Sequence, residues 1–97
     1  MKLLVTDRAA EDLEAIHTYL AARSAIGARS VQQAMQSTFA QLEEFPYLGR
    51  AQTLPRLRKI GVARYPYNVY DTVNDGMDEI IVISVSHASR APEFYDA

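Results

Sequence analysis

The sequence of 97 residues has no cysteine and no tryptophan. Without cysteine, neither a disulfide framework nor a thiolate metal site can be built, and the fold must rest on an apolar core. No apolar run reaches the roughly 20 residues that a membrane-spanning helix needs. The N-terminal run Met1-Lys2-Leu3-Leu4-Val5 meets charge at Asp7 and Arg8, too early for the apolar segment of a signal peptide. These absences predict a cytoplasmic chain with no membrane association, no metal and no cofactor. The length supports one hydrophobic core, so residues 1–97 are expected to form a single domain.

A further absence is local. Between Phe45 and Tyr70 there is no acidic residue, yet Arg50, Arg56, Arg58, Lys59 and Arg64 all fall there, giving that stretch +5. The other five basic residues face all twelve acids, which leaves −7 and a total of −2. A negative total argues against nucleic acid as the natural ligand, because phosphate binding is driven by Lys and Arg. The segregation nevertheless makes a local positive field that can draw a negatively charged partner. A solvated polar face is the plainer reading of the same residues.

Lys2 to Val5 reads as a short strand, and Thr6 or Asp7 offers an oxygen to cap a helix whose first turns hold Glu11 and Asp12. Ala9, Leu13, Ile16 and Leu20 recur at helical spacing and predict a first helix ending near Ala22, with Arg8, Asp12, Glu14 and Arg23 off the apolar stripe. After the break at Ser24-Ala25-Ile26-Gly27, a second periodic set (Val31, Ala34, Met35, Phe39, Leu42) runs to Glu44, where Phe45-Pro46 disfavours further helix. So short a break predicts an antiparallel helical hairpin. Leu57–Val62, Tyr67–Val73 and Glu79–Ser86 are rich in β-branched and aromatic residues and read as strands. Asn74-Asp75-Gly76 joins the last two through a turn that tolerates positive φ. The result is an α+β fold in the order β-α-α-β-β-β, the hairpin packed on a small, mainly antiparallel sheet. The last strand, apolar on both faces through its first half, should lie inside the sheet under the helices, and the first strand at an edge or beside the second strand.

Several segments together carry a resemblance: Asp12-Leu13-Glu14-Ala15-Ile16; Phe45-Pro46-Tyr47-Leu48-Gly49-Arg50; Leu57-Arg58-Lys59-Ile60; Tyr65-Pro66-Tyr67-Asn68-Val69-Tyr70; and Val85-Ser86-His87-Ala88-Ser89-Arg90. In this order the chain resembles the ParE/RelE toxin superfamily, its ParE-like branch above all, from Val5 to Arg90. The resemblance implies a toxin made beside a cognate antitoxin whose C-terminal segment wraps it in a hetero-oligomer. It implies inhibition of DNA gyrase by protein binding for the ParE-like branch, and ribosome-dependent messenger RNA cleavage for the RelE-like branch.

RNA cleavage needs a base, cationic clamps and an acid. If the chain were such a nuclease, Arg58, Lys59, Arg64, His87, Arg90 and Tyr95 would supply them, the tyrosine being the match to the one that RelE-like nucleases carry near the C-terminus. A free imidazole titrates near neutrality, which would suit His87 to acid or base work, but a histidine closing a strand is more often a structural hydrogen-bonder. Arg58 and Lys59 are adjacent, so on a strand they point to opposite faces and cannot both line one site. Without catalysis, Arg58, Arg64, His87 and Arg90 become the expected target-binding residues. Tyr65, Tyr67 and Tyr70 could stack on bases, but packing is the preferred reading of aromatics on amphipathic strands. Leu13, Ile16 and Leu20 on the helical stripe, with Tyr19, Ile26 and Phe39, are the expected antitoxin-binding residues, by helix-in-groove or edge-strand addition.

Overall fold

A computed structural model of the chain describes residues 1–90 and 92. The elements run β1 (Lys2–Val5), α1 (Asp7–Ala21), α2 (Ala25–Glu44), β2 (Arg50–Ala51), β3 (Arg58–Gly61), β4 (Tyr67–Asn74) and β5 (Glu79–His87). Among the described residues they make one five-stranded sheet in the order β1-β5-β4-β3-β2. All neighbours are antiparallel except β1 and β5.

The helix starts are fixed by side-chain caps. Thr6 Oγ1 accepts from the Ala9 amide at 3.1 Å and donates to the Ile83 carbonyl at 3.0 Å, so the α1 cap is also a tie to β5. Ser24 Oγ accepts from the Gly27 amide at 3.0 Å at the start of α2. Only Ala22 to Ser24 separates the helices, which makes them the expected antiparallel hairpin. Ala9, Val31, Met35 and Leu42 pack against Val69 of β4 and Ile80, Val82 and Val85 of β5 to form the core.

The first strand lies at an edge, the first of its two expected places, and its neighbour there is the last strand, with Leu3 opposite Ile80 and Val5 opposite Val82. The parallel pairing of β1 with β5 needs a long connection, which the chain between them supplies. The two-residue strand β2 departs from the expected set because two residues carry no periodicity; it pairs Arg50 with Lys59 and Ala51 with Arg58. The turn between β4 and β5 is a 3-10 turn over Asp75–Met77, and the positive φ (56°) falls on Asp78 rather than Gly76.

One irregularity interrupts the pairing of the inner strands. Tyr70 pairs with Ser84 but Asp71 with Val82, so Ile83 is an extra residue in β5, a bulge. The Asp12 carboxylate, reaching down from α1, accepts from the Ser84 hydroxyl at 2.9 Å and the Val85 amide at 3.0 Å just beyond it.

Candidate functional site

The helical hairpin leaves a groove of about 390 Å³ between α1 and α2. Its floor is apolar, with Leu13, Ile16 and Leu20 from α1 and Val31, Met35 and Phe39 from α2, and Glu14, His17, Gln32 and Gln36 also line it. Four of the six residues expected to meet an antitoxin (Leu13, Ile16, Leu20, Phe39) therefore share one surface. The other two do not line it. Ile26 is 78% exposed at the start of α2, and Tyr19 turns to a second cavity, where the Arg23 guanidinium stacks 3.6 Å from its ring centroid.

That second cavity, about 720 Å³, opens where β5 leaves the sheet and is lined by Arg8, Asp12, Tyr19, Tyr67, His87 and Arg90 among others. Arg8 lies 3.6 Å from Asp12, one helical turn on. His87 is held on two sides. Its ring meets Tyr67 edge-on at 5.6 Å and 82°. Its Nδ1 accepts from the Ser89 amide at 3.1 Å, with Ser89 Oγ at 2.7 Å. An amide can only donate, so Nδ1 is the acceptor and the neutral ring carries its proton on Nε2. Arg64 belongs to the same end of the sheet, because the Ala88 amide docks on the Pro66 carbonyl at 2.7 Å, but it does not line the cavity. Its φ of 73° is a conformation that costs a non-glycine residue energy. Tyr95 lies outside the described residues.

Arg58 lies elsewhere. It is at the start of β3, opposite Asp71, three residues and so about 10 Å of strand away from Gly61, where β3 ends. Its guanidinium donates to the Gly49 carbonyl at 2.7 Å and the Tyr47 carbonyl at 3.3 Å and lies 5.0 Å from the Tyr47 ring centroid. The loop it holds sits tightly on β3: a Cβ on Gly49 would stand 3.2 Å from the Arg58 Cβ, which explains the glycine there. Tyr47 in turn donates its hydroxyl to Asp75 (2.6 Å to Oδ2), and that bond raises its pKa above 10. Asp71 is fully buried and neither carboxyl oxygen has a hydrogen-bond partner. Burial pushes it from 3.8 up to about 6, against the pull of Arg58.

The expected cationic cluster is thus divided. His87, Arg90 and Arg64 gather at one end, Arg58 is bonded to backbone near the other, and Lys59, paired with Tyr70, is on the opposite face from Arg58. Tyr67 and Tyr70 are buried and Tyr65 packs against the core, so packing is the right reading of all three. Sequence reading missed Arg8, Asp12 and Ser89. Asp12 stood in the sequence as an acid near a helix start, which the helix dipole already accounts for, and within a segment carrying the family resemblance, and neither pointed to its bond with β5.

The family model described as the ParE toxin of the type II toxin-antitoxin system parDE matches residues 3–92. Among solved structures, the chain is similar to the chromosomal ParDE system from P. aeruginosa, at 25% identity and a TM-score of 0.67, covering 90% of this chain and 95% of that one. It shares its fold with the intact E. coli RelBE toxin-antitoxin complex, at 21% identity and a TM-score of 0.70, covering 92% and 98% of the two chains. The isolated E. coli RelE toxin gives 21% and 0.69, covering 97% and 89%. No curated protein matches the sequence. With the family model spanning nearly the whole chain and the fold shared with both branches, the chain belongs to the ParE toxin family of type II toxin-antitoxin systems.

Proposed function

We propose that this toxin acts in the cytoplasm by binding a protein target, DNA gyrase, and that a helical segment of a cognate antitoxin neutralises it by filling the α1–α2 groove. The observation that carries the gyrase reading is the division of the cations. A nuclease needs base, clamp and acid around one phosphate, whereas Arg58 is bonded to its own loop about 10 Å or more down the sheet from the His87 end. Arg64, His87 and Arg90 remain as the target-binding set. The antitoxin part of the reading is supported by the groove, whose apolar floor and polar rim suit an amphipathic helix with anchors at helical spacing.

Messenger RNA cleavage on the ribosome is the second reading, favoured by one observation. The cavity at the end of β5 combines an Nε2–H donor on His87 with Arg8 and Arg90. The deciding experiment adds purified toxin to gyrase supercoiling and, separately, to ribosomes translating a defined transcript. Loss of supercoiling with intact transcript is expected. Transcript cleavage that disappears in His87→Ala would replace the first reading by the second. For the antitoxin, Leu13→Glu and Phe39→Glu are expected to weaken binding of the antitoxin segment by about 100-fold or more, on the order of 3 kcal/mol, measured by calorimetry.

A further inference from the structure

We propose that Arg58 is a two-position side chain, which holds the Phe45–Gly49 loop while the Asp71 carboxyl keeps its proton and leaves the loop to pair with Asp71 once that proton is lost. This goes beyond the antitoxin and gyrase readings and does not depend on them. Asp71 is fully buried in β4, and neither of its oxygens has a hydrogen-bond partner. Buried polar groups are nearly always bonded, so a carboxyl left alone calls for an explanation. The arrangement suits its neutral form, because an ionised carboxylate in a dry interior needs donors or a counter-charge.

The counter-charge already stands opposite. Arg58 and Asp71 are paired residues of β3 and β4. Directly opposed residues of an antiparallel pair put their side chains on the same face, with Cβ atoms roughly 5 Å apart. An arginine at that separation has ample length to reach the carboxyl. Its guanidinium is turned instead to the carbonyls of Gly49 at 2.7 Å and Tyr47 at 3.3 Å. No second charge competes for Asp71 among the described residues. Val82 opposes it from β5. The residues that α1 and α2 bury are Ala9, Ala28, Val31, Met35, Thr38 and Leu42, none of which titrates. The adjacent Tyr70 stays neutral, since burial raises its pKa above 10.

Two sets of acceptors thus compete for one guanidinium, and the proton on Asp71 decides between them. While Asp71 is neutral, the two main-chain carbonyls are the better partners. Once it is ionised, a pair of opposite charges in a buried site outweighs hydrogen bonds to neutral carbonyls. Tyr47 is exposed, so water can replace the guanidinium at its carbonyl, whereas Gly49 is buried against β3 and its carbonyl is hydrated only if the loop shifts. The loop, which carries the exposed Phe45, Tyr47 and Leu48, is therefore held at low pH and loosened at higher pH. Burial lifts the Asp71 pKa to about 6, and the pair gained on ionisation favours the carboxylate, so the changeover falls at about pH 6 or below.

Nuclear magnetic resonance on the purified chain between about pH 4 and 8 tests this. The signals to follow are the Asp71 carboxyl carbon, the Tyr47 ring and the exchange of the Leu48 amide, which donates to the Phe45 carbonyl at 3.0 Å. Asp71 and Tyr47 are expected to shift with one midpoint, and Leu48 exchange, corrected for its intrinsic pH dependence, to quicken about tenfold above it. Asp71→Asn should keep the loop held throughout and abolish both responses. Asp75→Asn, which removes the carboxylate on the Tyr47 hydroxyl, should retain them. An Asp71 carboxyl that titrates while Tyr47 and Leu48 stay unchanged overturns the proposal, as does one that does not titrate in this range or a Tyr47 response that survives Asp71→Asn. If Asp71→Asn does not fold, the parent's midpoints, shared or separate, decide alone.

Discussion

Arg58 and Arg90 are both arginines at the margin of one sheet, but they do different physical work. The Arg58 guanidinium is half-buried, donates to two main-chain carbonyls and faces a buried carboxyl across the strand pair. Arg90 is exposed, and at its end of the sheet the cavity, the doubly held imidazole and the turn carrying Arg64 stand open to solvent. A cation bonded to its own backbone is part of the fold, because releasing it leaves two main-chain carbonyls without their donor. A cation beside an open cavity is available to something else. Residue type alone does not separate the two roles; what each guanidinium already touches does.

The sharpest way to break this contrast is to remove each cation. Arg58→Ala takes away two charge-assisted hydrogen bonds and the nearest counter-charge of Asp71, and should cost about 3 to 4 kcal/mol in urea unfolding. Arg90→Ala should cost less than about 0.5 kcal/mol while weakening target binding. Equal losses in the two variants would erase the distinction. Asp71 adds a dependence on pH. Its folded-state pKa of about 6 stands above the unfolded value of 3.8, so the folded chain binds this proton more tightly. The stabilisation is complete below pH 3.8 and is lost as pH rises through about 6. The loss is on the order of 2 to 3 kcal/mol, since each tenfold gain in proton affinity corresponds to about 1.4 kcal/mol. Asp71→Asn keeps the shape and removes the charge, so it should flatten this slope and be the more stable protein at pH 7. An unchanged slope would mean that another group carries it.

Arg64 offers a smaller test at the functional end. Its φ of 73° disfavours any residue with a Cβ, so Arg64→Gly should stabilise the fold by up to about 1 kcal/mol. If Arg64 also meets the target, the same variant should bind it less well. A gain in stability with undiminished binding would remove Arg64 from the target-binding set.

Much of the architecture was legible because the periodicities are long. Fifteen residues of α1 and twenty of α2 repeat an apolar stripe several times, and the eight- and nine-residue inner strands give enough β-branched positions to be unmistakable. The two-residue β2 escaped because what makes it a strand is Gly49 lying against β3, a contact with no local signature. The groove was legible for the same reason as the helices: Leu13, Ile16 and Leu20 sit on the apolar stripe of α1. Tyr19 and Ile26 are apolar residues off that stripe and face other ways. The cationic site was only half legible. Alternation placed Arg58 and Lys59 on opposite faces, but that Arg58 turns to the carbonyls of residues 47 and 49 depends on a loop whose path the residues do not announce. Asp12 joins α1 to β5 across more than seventy residues, beyond any local pattern.

The smallest expected effect concerns the imidazole that the two functional readings share. Ser89 gives His87 Nδ1 an amide proton and places its hydroxyl beside the same atom. That fixes the neutral ring with hydrogen on Nε2, where it can donate to a target's carbonyl or a leaving oxygen but cannot accept a proton until Nε2 has given one up. Ser89→Ala keeps the amide bond and removes the hydroxyl, and at this exposed position it should change stability by only a few tenths of a kcal/mol. The ring itself should not change: nitrogen chemical shifts of the neutral His87 ring should report the Nε2–H tautomer in the parent and, because the backbone amide still donates to Nδ1, in Ser89→Ala as well. A parent ring already protonated on Nδ1 would show that the amide does not hold it, and would make the Nε2 lone pair free to act as a base. That outcome would strengthen the nuclease reading at the expense of the binding one.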